Sequence, residues 1–262
     1  MATHDAELAK AFDAQAARFE RSPVQSDPSA LARLVAFAAL PPDSLVLDAG
    51  CGPGLVSEAL LGAGHRVHGV DLSAEMVRRA RERCARFAGR ARFDQGSVFE
   101  LAGPETFEAA ISRFVLHHVV DPLGFLQAQA ARLREGGVLV ACDHVADADP
   151  PAAAWHQEIE RDRDRTHVRN FTSGELVDLL ARAGMRRIEL SEEEFELEFD
   201  EWFDRGTPAA GKAQVRQRLL AGRARGFTPR STSDGRISIR CVRSLARGVR
   251  EGPTRDIAAA AR

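Results

Sequence analysis

Tyrosine is absent from this 262-residue chain, so no phenol hydroxyl can enter its chemistry. Lysine occurs only at Lys10 and Lys212; nearly all positive charge is arginine, a bias that says little about function. The four cysteines, Cys51, Cys84, Cys142 and Cys241, are too far apart for paired ligand spacing, which argues against a bound metal and predicts reduced thiols in a cytoplasmic protein. No apolar run approaches bilayer length, and the opening residues MATHDAELAK have no signal-peptide core, so no membrane partner is expected. Large net charge is missing too. The 36 basic and 38 acidic side chains leave −2, and bulk electrostatics call for no polyanion. The charge is uneven, however: residues 205–262 carry 14 Arg or Lys against 3 acids, and 189–204 carry 9 acids. These two stretches are expected to pack together rather than the basic one to seek nucleic acid.

What is present is the composition of a soluble globular chain, 44% hydrophobic and 28% charged, long enough for a full core. Helical spacing of Leu8, Phe12 and Phe19 predicts a helix over 5–20, and a second follows over 31–40 behind an Asp or Ser cap, stopped by Pro41-Pro42. From residue 44, short apolar segments alternate with amphipathic helices. SLVLDAG, a helix over 54–63, HRVHGVD, a helix opened by Ser73, ARFDQGS, FEAAISRFV, a helix over 121–134 and, after a break at Gly136-Gly137, GVLVACDHV follow one another. Apolar strands separated by helices read as a parallel sheet covered on both faces, a doubly wound α/β fold. Near residue 147 the pattern changes to a polar, partly helical stretch. A helix opened by Thr172 or Ser173 comes next, then RRIELSEEEFELEFDEW as a strand with one wet face, a helix over 208–224, a last strand over 235–249 and an Ala-rich end at 257–261.

The stretch SLVLDAGCGPGLVSEAL sets Gly50, Gly52 and Gly54 between a strand and a helix, where a ligand must come close to the backbone. The spacing is G-x-G-x-G rather than the G-x-G-x-x-G of a dinucleotide site, and Asp48 stands two residues ahead. A carboxylate there repels a pyrophosphate, which opposes a nicotinamide dinucleotide. It suits a ligand that carries positive charge and no phosphate. S-adenosylmethionine (SAM), with an α-ammonium and a sulfonium, meets both conditions. Asp71 closes the second strand, where an acid can accept both ribose hydroxyls, with Leu72 and Met76 beside it to flank an adenine. Alone, Asp71 would read as a helix cap; with Asp48 and the glycines it reads as part of a nucleoside site.

VLDAGCGPG, VDLSAEM, RFVLHHVVDP and ARLREGGVLVACDH, in this order and spacing over roughly residues 40–190, resemble the class I SAM-dependent methyltransferases, in particular their ubiquinone/menaquinone-biosynthesis-like (methyltransferase type 11) branch. The resemblance implies a Rossmann-like, seven-stranded, mostly parallel sheet with helices on both faces and a reversed final hairpin. It implies SAM as cofactor, S-adenosylhomocysteine as product, Asp48 and Gly50 near the methionine moiety, Asp71 on the ribose and the backbone at Arg113 near the amino-acid end. Cys51, Gly52, Gly54, Ser97 and Val98 complete the expected cofactor shell. Ser97 is a departure, because the family often has an acid there toward the adenine amino group; its hydroxyl still accepts a hydrogen bond, so weaker adenine recognition is expected. The organisation expected is a helical lid over 1–40, the SAM-binding core over 41–146, a cap insertion over 147–171, and the rest of the core sheet with an acceptor-side helix over 172–262.

Displacement at a sulfonium methyl needs alignment and exclusion of water, and a base where the nucleophile carries a proton. Such groups should project from the ends of the fourth and fifth strands. His117, His118 and His144 are the candidate bases, although a structural hydrogen bond accounts for each equally well. His156, Glu158, His167 and Arg169 rank below them, because their stretch reads as a solvated helix face. A metal held by Asp143, His144 and a cap histidine has no supporting spacing, and none is expected. Phe19, Trp155, Phe171 and Trp202 are expected to line the acceptor pocket, which favours a flat, aromatic or apolar small molecule methylated on carbon, oxygen or nitrogen. An RNA methyltransferase lacks support, since the Pro-Pro-aromatic motif that holds a flipped base is absent after the fourth strand. A protein of this fold that binds SAM without transferring methyl would show the same cofactor residues; only turnover separates the two. A monomer or homodimer is expected.

Overall fold

The computed structural model describes residues 2–101, 103 and 106–252; the Ala-rich end at 257–261 lies outside them. In chain order the elements are α1 (Ala2–Arg21), α2 (Pro28–Ala38), β1 (Leu45–Ala49), α3 (Leu55–Gly62), β2 (Arg66–Asp71), α4 (Ala74–Arg83), β3 (Ala91–Gln95), β4 (Phe107–Arg113), α5 (Pro122–Ala131), β5 (Leu133–His144), α6 (Pro150–Arg163), α7 (Ser173–Arg182), β6 (Met185–Glu198), α8 (Phe199–Arg205), α9 (Lys212–Leu220), β7 (Phe227–Ser231) and β8 (Ile237–Arg250). Helix starts follow from short polar side chains. Asp27, Asp121 and Asp149 each accept a first-turn backbone N–H ahead of a proline at the start of α2, α5 and α6, and Thr172 with Glu175 forms a capping box on α7. Helix α3 starts at Gly54 with no side-chain cap, which leaves its first N–H groups open.

The sheet runs β3-β2-β1-β4-β5-β8-β6; β1 to β5 are parallel, and β8 is antiparallel to both β5 and β6. These are the seven strands and reversed hairpin that the sequence resemblance implies. An eighth strand was not foreseen. β7 pairs with the leading half of β8, from Phe227 opposite Cys241 to Ser231 opposite Ile237, where β5 no longer reaches. Its five residues include Pro229, which only an edge position tolerates, and nothing local marks it as a strand. Three boundaries also differ from expectation. The wet-faced strand stops at Glu198, whose side chain caps α8; the helix expected over 208–224 covers only α9; and Gly136-Gly137 lies inside β5.

Alternation along the strands divides the core. Val46, Ile111 and Val140 pack under α2, α3 and α4, whereas Leu47, Ala110 and Leu139 pack under α5 and α7. A third apolar cluster, around Leu197, Trp202, Phe227 and Ile239, joins α6, α8 and α9 to the protruding part of the β6–β8 hairpin. The acidic and basic stretches meet as expected: Arg243 pairs with Glu193 at 2.6 Å and Arg247 with Glu189 at 3.0 Å across β8 and β6.

Candidate functional site

At the carboxyl end of β1 the chain turns through Gly50, Gly52 and Gly54, all at positive φ. A Cβ at Gly54 would stand 2.9 Å from Ala80 Cα, so glycine lets α3 lie against α4. Gly52 is the opposite case. A Cβ there would meet nothing within 4 Å, because its backbone forms an open wall, and its N–H donates to Asp71 Oδ2 at 2.8 Å. The other oxygen of Asp71 accepts from Ser73 N at 2.9 Å, so β2 ends with its carboxylate aimed across the glycine turn. Asp48 is 1% exposed and accepts a hydrogen bond from Ser57 Oγ at 2.6 Å.

Burial raises both acids. Asp48 rises to about 7 despite the Ser57 hydroxyl, with the Asp71 charge adding to the rise, and Asp71 rises to about 6 despite its two backbone donors. The nearest guanidinium does not neutralise them. Arg113 donates instead to the carbonyls of Val24 and Gln25, and burial holds it down at about 10. The fit to SAM follows from this arrangement: one buried and one half-buried carboxyl short of a cation, beside an open glycine backbone and an uncapped helix.

These groups face a cavity of about 150 Å³. Asp48, Gly50, Cys51, Gly52, Asp71, Leu72, Met76, Ser97, Val98 and Arg113 all line it, while Gly54 sits behind them in the α3–α4 contact. One wall is α1, through Leu8, Phe12 and Phe19. The helix is tied down by polar contacts: Ser73 Oγ donates to Asp13 Oδ1 at 2.6 Å, and Glu20 pairs with Arg79 and Arg83 of α4. Sequence reasoning missed Gln25 and Phe114. Phe114 has φ of +57°, unusual for a bulky residue, and stacks on His144 with ring centres 4.6 Å apart. No local signal marks that backbone conformation.

Phe19, Gln25, Phe114 and His118 also line a second, smaller slot of about 20 Å³, shared with His117, His144, Glu160, Arg163, Asn170, Trp202 and Arg205. The slot brings the three candidate bases together in unequal states. His117 Nδ1 lies 2.6 Å from Asp143 Oδ1; burial pulls the imidazole down, but the Asp143 charge and hydrogen bond outweigh it and leave His117 raised. Asp143 falls to about 2 in return, its burial overcome mainly by His117. His118 drops to about 4 and His144 to about 3, in each case through burial and then the charge of His117. His118 Nδ1 is also tied to Thr166.

Trp202 lines the slot, but Trp155 and Phe171 line neither space. Trp155 packs against Phe227 and donates to Arg218 O, and Phe171 belongs to the core under α5 and α7, because both are carried by segments that fold back onto apolar surface. Of the lower-ranked residues, His156 stacks on Phe227 and His167 bonds Gln157 at 2.8 Å, while Glu158 and Arg169 pair at the surface with Arg218 and Glu175. Among the described residues no group of three His, Cys, Asp or Glu side chains could hold a metal, and no helix is long and apolar enough to cross a membrane.

The sequence model of a family described as "methyltransferase domain" matches residues 24–190. A ubiquinone biosynthesis O-methyltransferase of Xanthomonas campestris is 39% identical over 100 residues, 37% of this chain and 42% of the relative, so the match spans less than half of that protein. The uncharacterized methyltransferase YcgJ of Bacillus subtilis is 28% identical over 177 residues, 65% of this chain and 68% of the relative. The crystal structure of YcgJ superposes with a TM-score of 0.76 at 25% identity, covering 85% of this chain and 98% of that one. A Bacillus halodurans structure titled as a putative methyltransferase (BH2331) shares the fold at 24% identity and a TM-score of 0.74.

Proposed function

We propose, for a chain that belongs to the class I SAM-dependent methyltransferase family, that it moves the methyl group of SAM to a small acceptor with a flat, aromatic or apolar body. The observation that carries this reading is the pair of carboxyls, buried Asp48 and half-buried Asp71, that line one cavity with the open Gly52 backbone, and the Asp143-bound His117 in a slot that shares a wall with that cavity. SAM supplies a methyl carbon already activated by the sulfonium. The chain's own residues then have three tasks.

Asp71 would hold the ribose hydroxyls, and Asp48 would lie against the positive end of the ligand, where ionisation is restored by the charge it meets. Helix α1 and Phe114 exclude water from the two spaces. His117 is the proton acceptor of choice. Asp143 fixes its Nδ1 proton and leaves Nε2 without a partner among the described residues, whereas His118 and His144 are too weakly basic to hold a proton. Because Asp143 raises His117, turnover at saturating SAM should climb with pH as the imidazole loses its proton.

Calorimetric titration with S-adenosylhomocysteine, SAM and NAD tests the cofactor; binding of the first two with NAD silent is expected, and no binding of either sulfur compound would sink the reading. With an acceptor in hand, His117→Asn should lower kcat by about 10²- to 10⁴-fold and remove the rising limb of the pH profile, with S-adenosylhomocysteine affinity unchanged. Loss of cofactor affinity instead would make His117 a structural residue.

A further inference from the structure

We propose that the slot beside the cofactor cavity seats a carboxylate of the acceptor on a vacant edge of the Arg205 guanidinium. The inference rests on the acceptor reading above and narrows it, from any flat small molecule to an organic acid. Arg205 ends α8 and is only 5% exposed. Its Nη1 donates to Ser22 Oγ at 2.5 Å and to Glu201 Oε1 at 2.7 Å. Its Nε is buried without a hydrogen-bond partner, and among the described residues nothing accepts from Nη2. Nε and Nη2 are the two parallel donors that match the two oxygens of a carboxylate. Native proteins seldom leave a buried donor of this kind unmet. Arg205 lines the slot while its Nε is closed off from it, so a ligand acceptor would reach that donor only as the lining shifts.

Arg163 adds a second donor. It lines the same slot, 6% exposed; its Nε donates to Trp202 O at 2.8 Å and its Nη1 to Asp164 Oδ2 at 3.3 Å, and among the described residues nothing accepts from Nη2. The one carboxylate in the lining, Glu160, is 3.6 Å from His156 Nε2, and Glu201 and Asp164, which meet the two guanidiniums, stand outside the lining. About 20 Å³ is room for roughly one water-sized group, so either anion head requires the lining to move, the planar carboxylate less than the bulkier tetrahedral phosphate. Because Phe19 and Phe114 line both spaces, an acid seated here would extend its apolar body toward the cofactor cavity and pass His117 on the way.

The test uses binding, so it does not wait for the true acceptor. Protein saturated with S-adenosylhomocysteine is titrated with benzoate, benzamide and phenyl phosphate. Benzoate should bind at least about tenfold more tightly than benzamide, the value of one charge-assisted pair. Arg205→Lys, which keeps the charge but has no two-donor edge, should bring that ratio near one while leaving S-adenosylhomocysteine affinity as it was. Equal binding of benzoate and benzamide, no benzoate binding, or a preference for phenyl phosphate each overturns the proposal. So does a loss of S-adenosylhomocysteine affinity in Arg205→Lys, which would give the edge to the cofactor's own carboxylate. Should the variant fold poorly, the benzoate-to-benzamide ratio of the unaltered protein still decides. Failure of S-adenosylhomocysteine to bind the unaltered protein is a separate result, visible before any acid is added, and it removes both readings together.

Discussion

The two ends of the sheet are built on different plans. At the β1–β4 end, strands of five to seven residues alternate with helices that directly precede or follow them in sequence, and the cavity-lining groups Asp48, Gly52, Asp71 and Ser97 come from one stretch of chain. At the other end, β6 and β8 run for 14 residues each, and the core beneath them is assembled from Ile159, Leu197, Trp202, Val215, Phe227 and Ile239, each from a different helix or strand. The first end carries the contacts proposed for the cofactor, and the second shapes the slot through Arg163, Trp202 and Arg205. On the proposed reading, the acceptor side could be remodelled by repacking one apolar cluster while the glycine turn stays as it is.

That separation can be broken at its centre. Phe227 is 1% exposed and packs on Trp155, His156 and Trp202, so Phe227→Ala should cost about 3–5 kcal/mol by urea unfolding, the usual penalty for emptying a large aromatic site. Affinity for S-adenosylhomocysteine should stay within about twofold, since the cavity draws no residue from that cluster. If affinity fell in step with stability, the two ends would form a single cooperative unit. The converse substitution is Asp71→Ala. Losing the carboxylate that would hold both ribose hydroxyls should weaken S-adenosylhomocysteine binding about 100-fold, two charged hydrogen bonds' worth, with a smaller change in melting temperature. Unchanged affinity would remove Asp71 from the ribose.

The same division explains what the sequence made legible. Gly50, Gly52, Asp48 and Asp71 announce themselves because a tight turn needs glycine and a buried acid needs a reason, and both requirements are met within about 25 residues of chain. The parallel strands could be read from continuous apolar runs bounded by capped helices. β7 was invisible because its strand partner, the leading half of β8, is formed by the tertiary fold. Trp155 and Trp202 looked alike as lid aromatics, yet one packs behind Gly222 and Phe227 while the other edges the slot; helical spacing alone does not separate those outcomes. Phe114 depends on a left-handed turn that its sequence neighbours do not demand, and the ranking of the three histidines depends on Asp143, which is 26 positions from His117 but hydrogen-bonded to it beyond the paired ends of β4 and β5.

The smallest effect expected is also the one that separates the ends by pH. Asp48 and Asp71 have raised pKa values, near 7 and 6, so the folded, ligand-free protein keeps protons that the unfolded chain would release. Their contribution to folding is complete below pH 4 and is lost as pH rises through 6 and 7. A cationic ligand reverses the sign, because it requires the ionised forms. SAM affinity should be full above pH 7.5 and fall about tenfold by pH 6, one unit below the Asp48 value, with a second and steeper decline as Asp71 protonates. The gain in melting temperature on saturation with SAM should shrink over the same interval. Asp48→Asn should flatten the upper step and leave the lower one. His117 cannot produce this pattern: its rise comes from Asp143 in the slot, and its proton should govern kcat at saturating SAM rather than the binding of SAM. An upper step that survived in Asp48→Asn and vanished in His117→Asn would reverse the assignment and couple the two ends through the histidine.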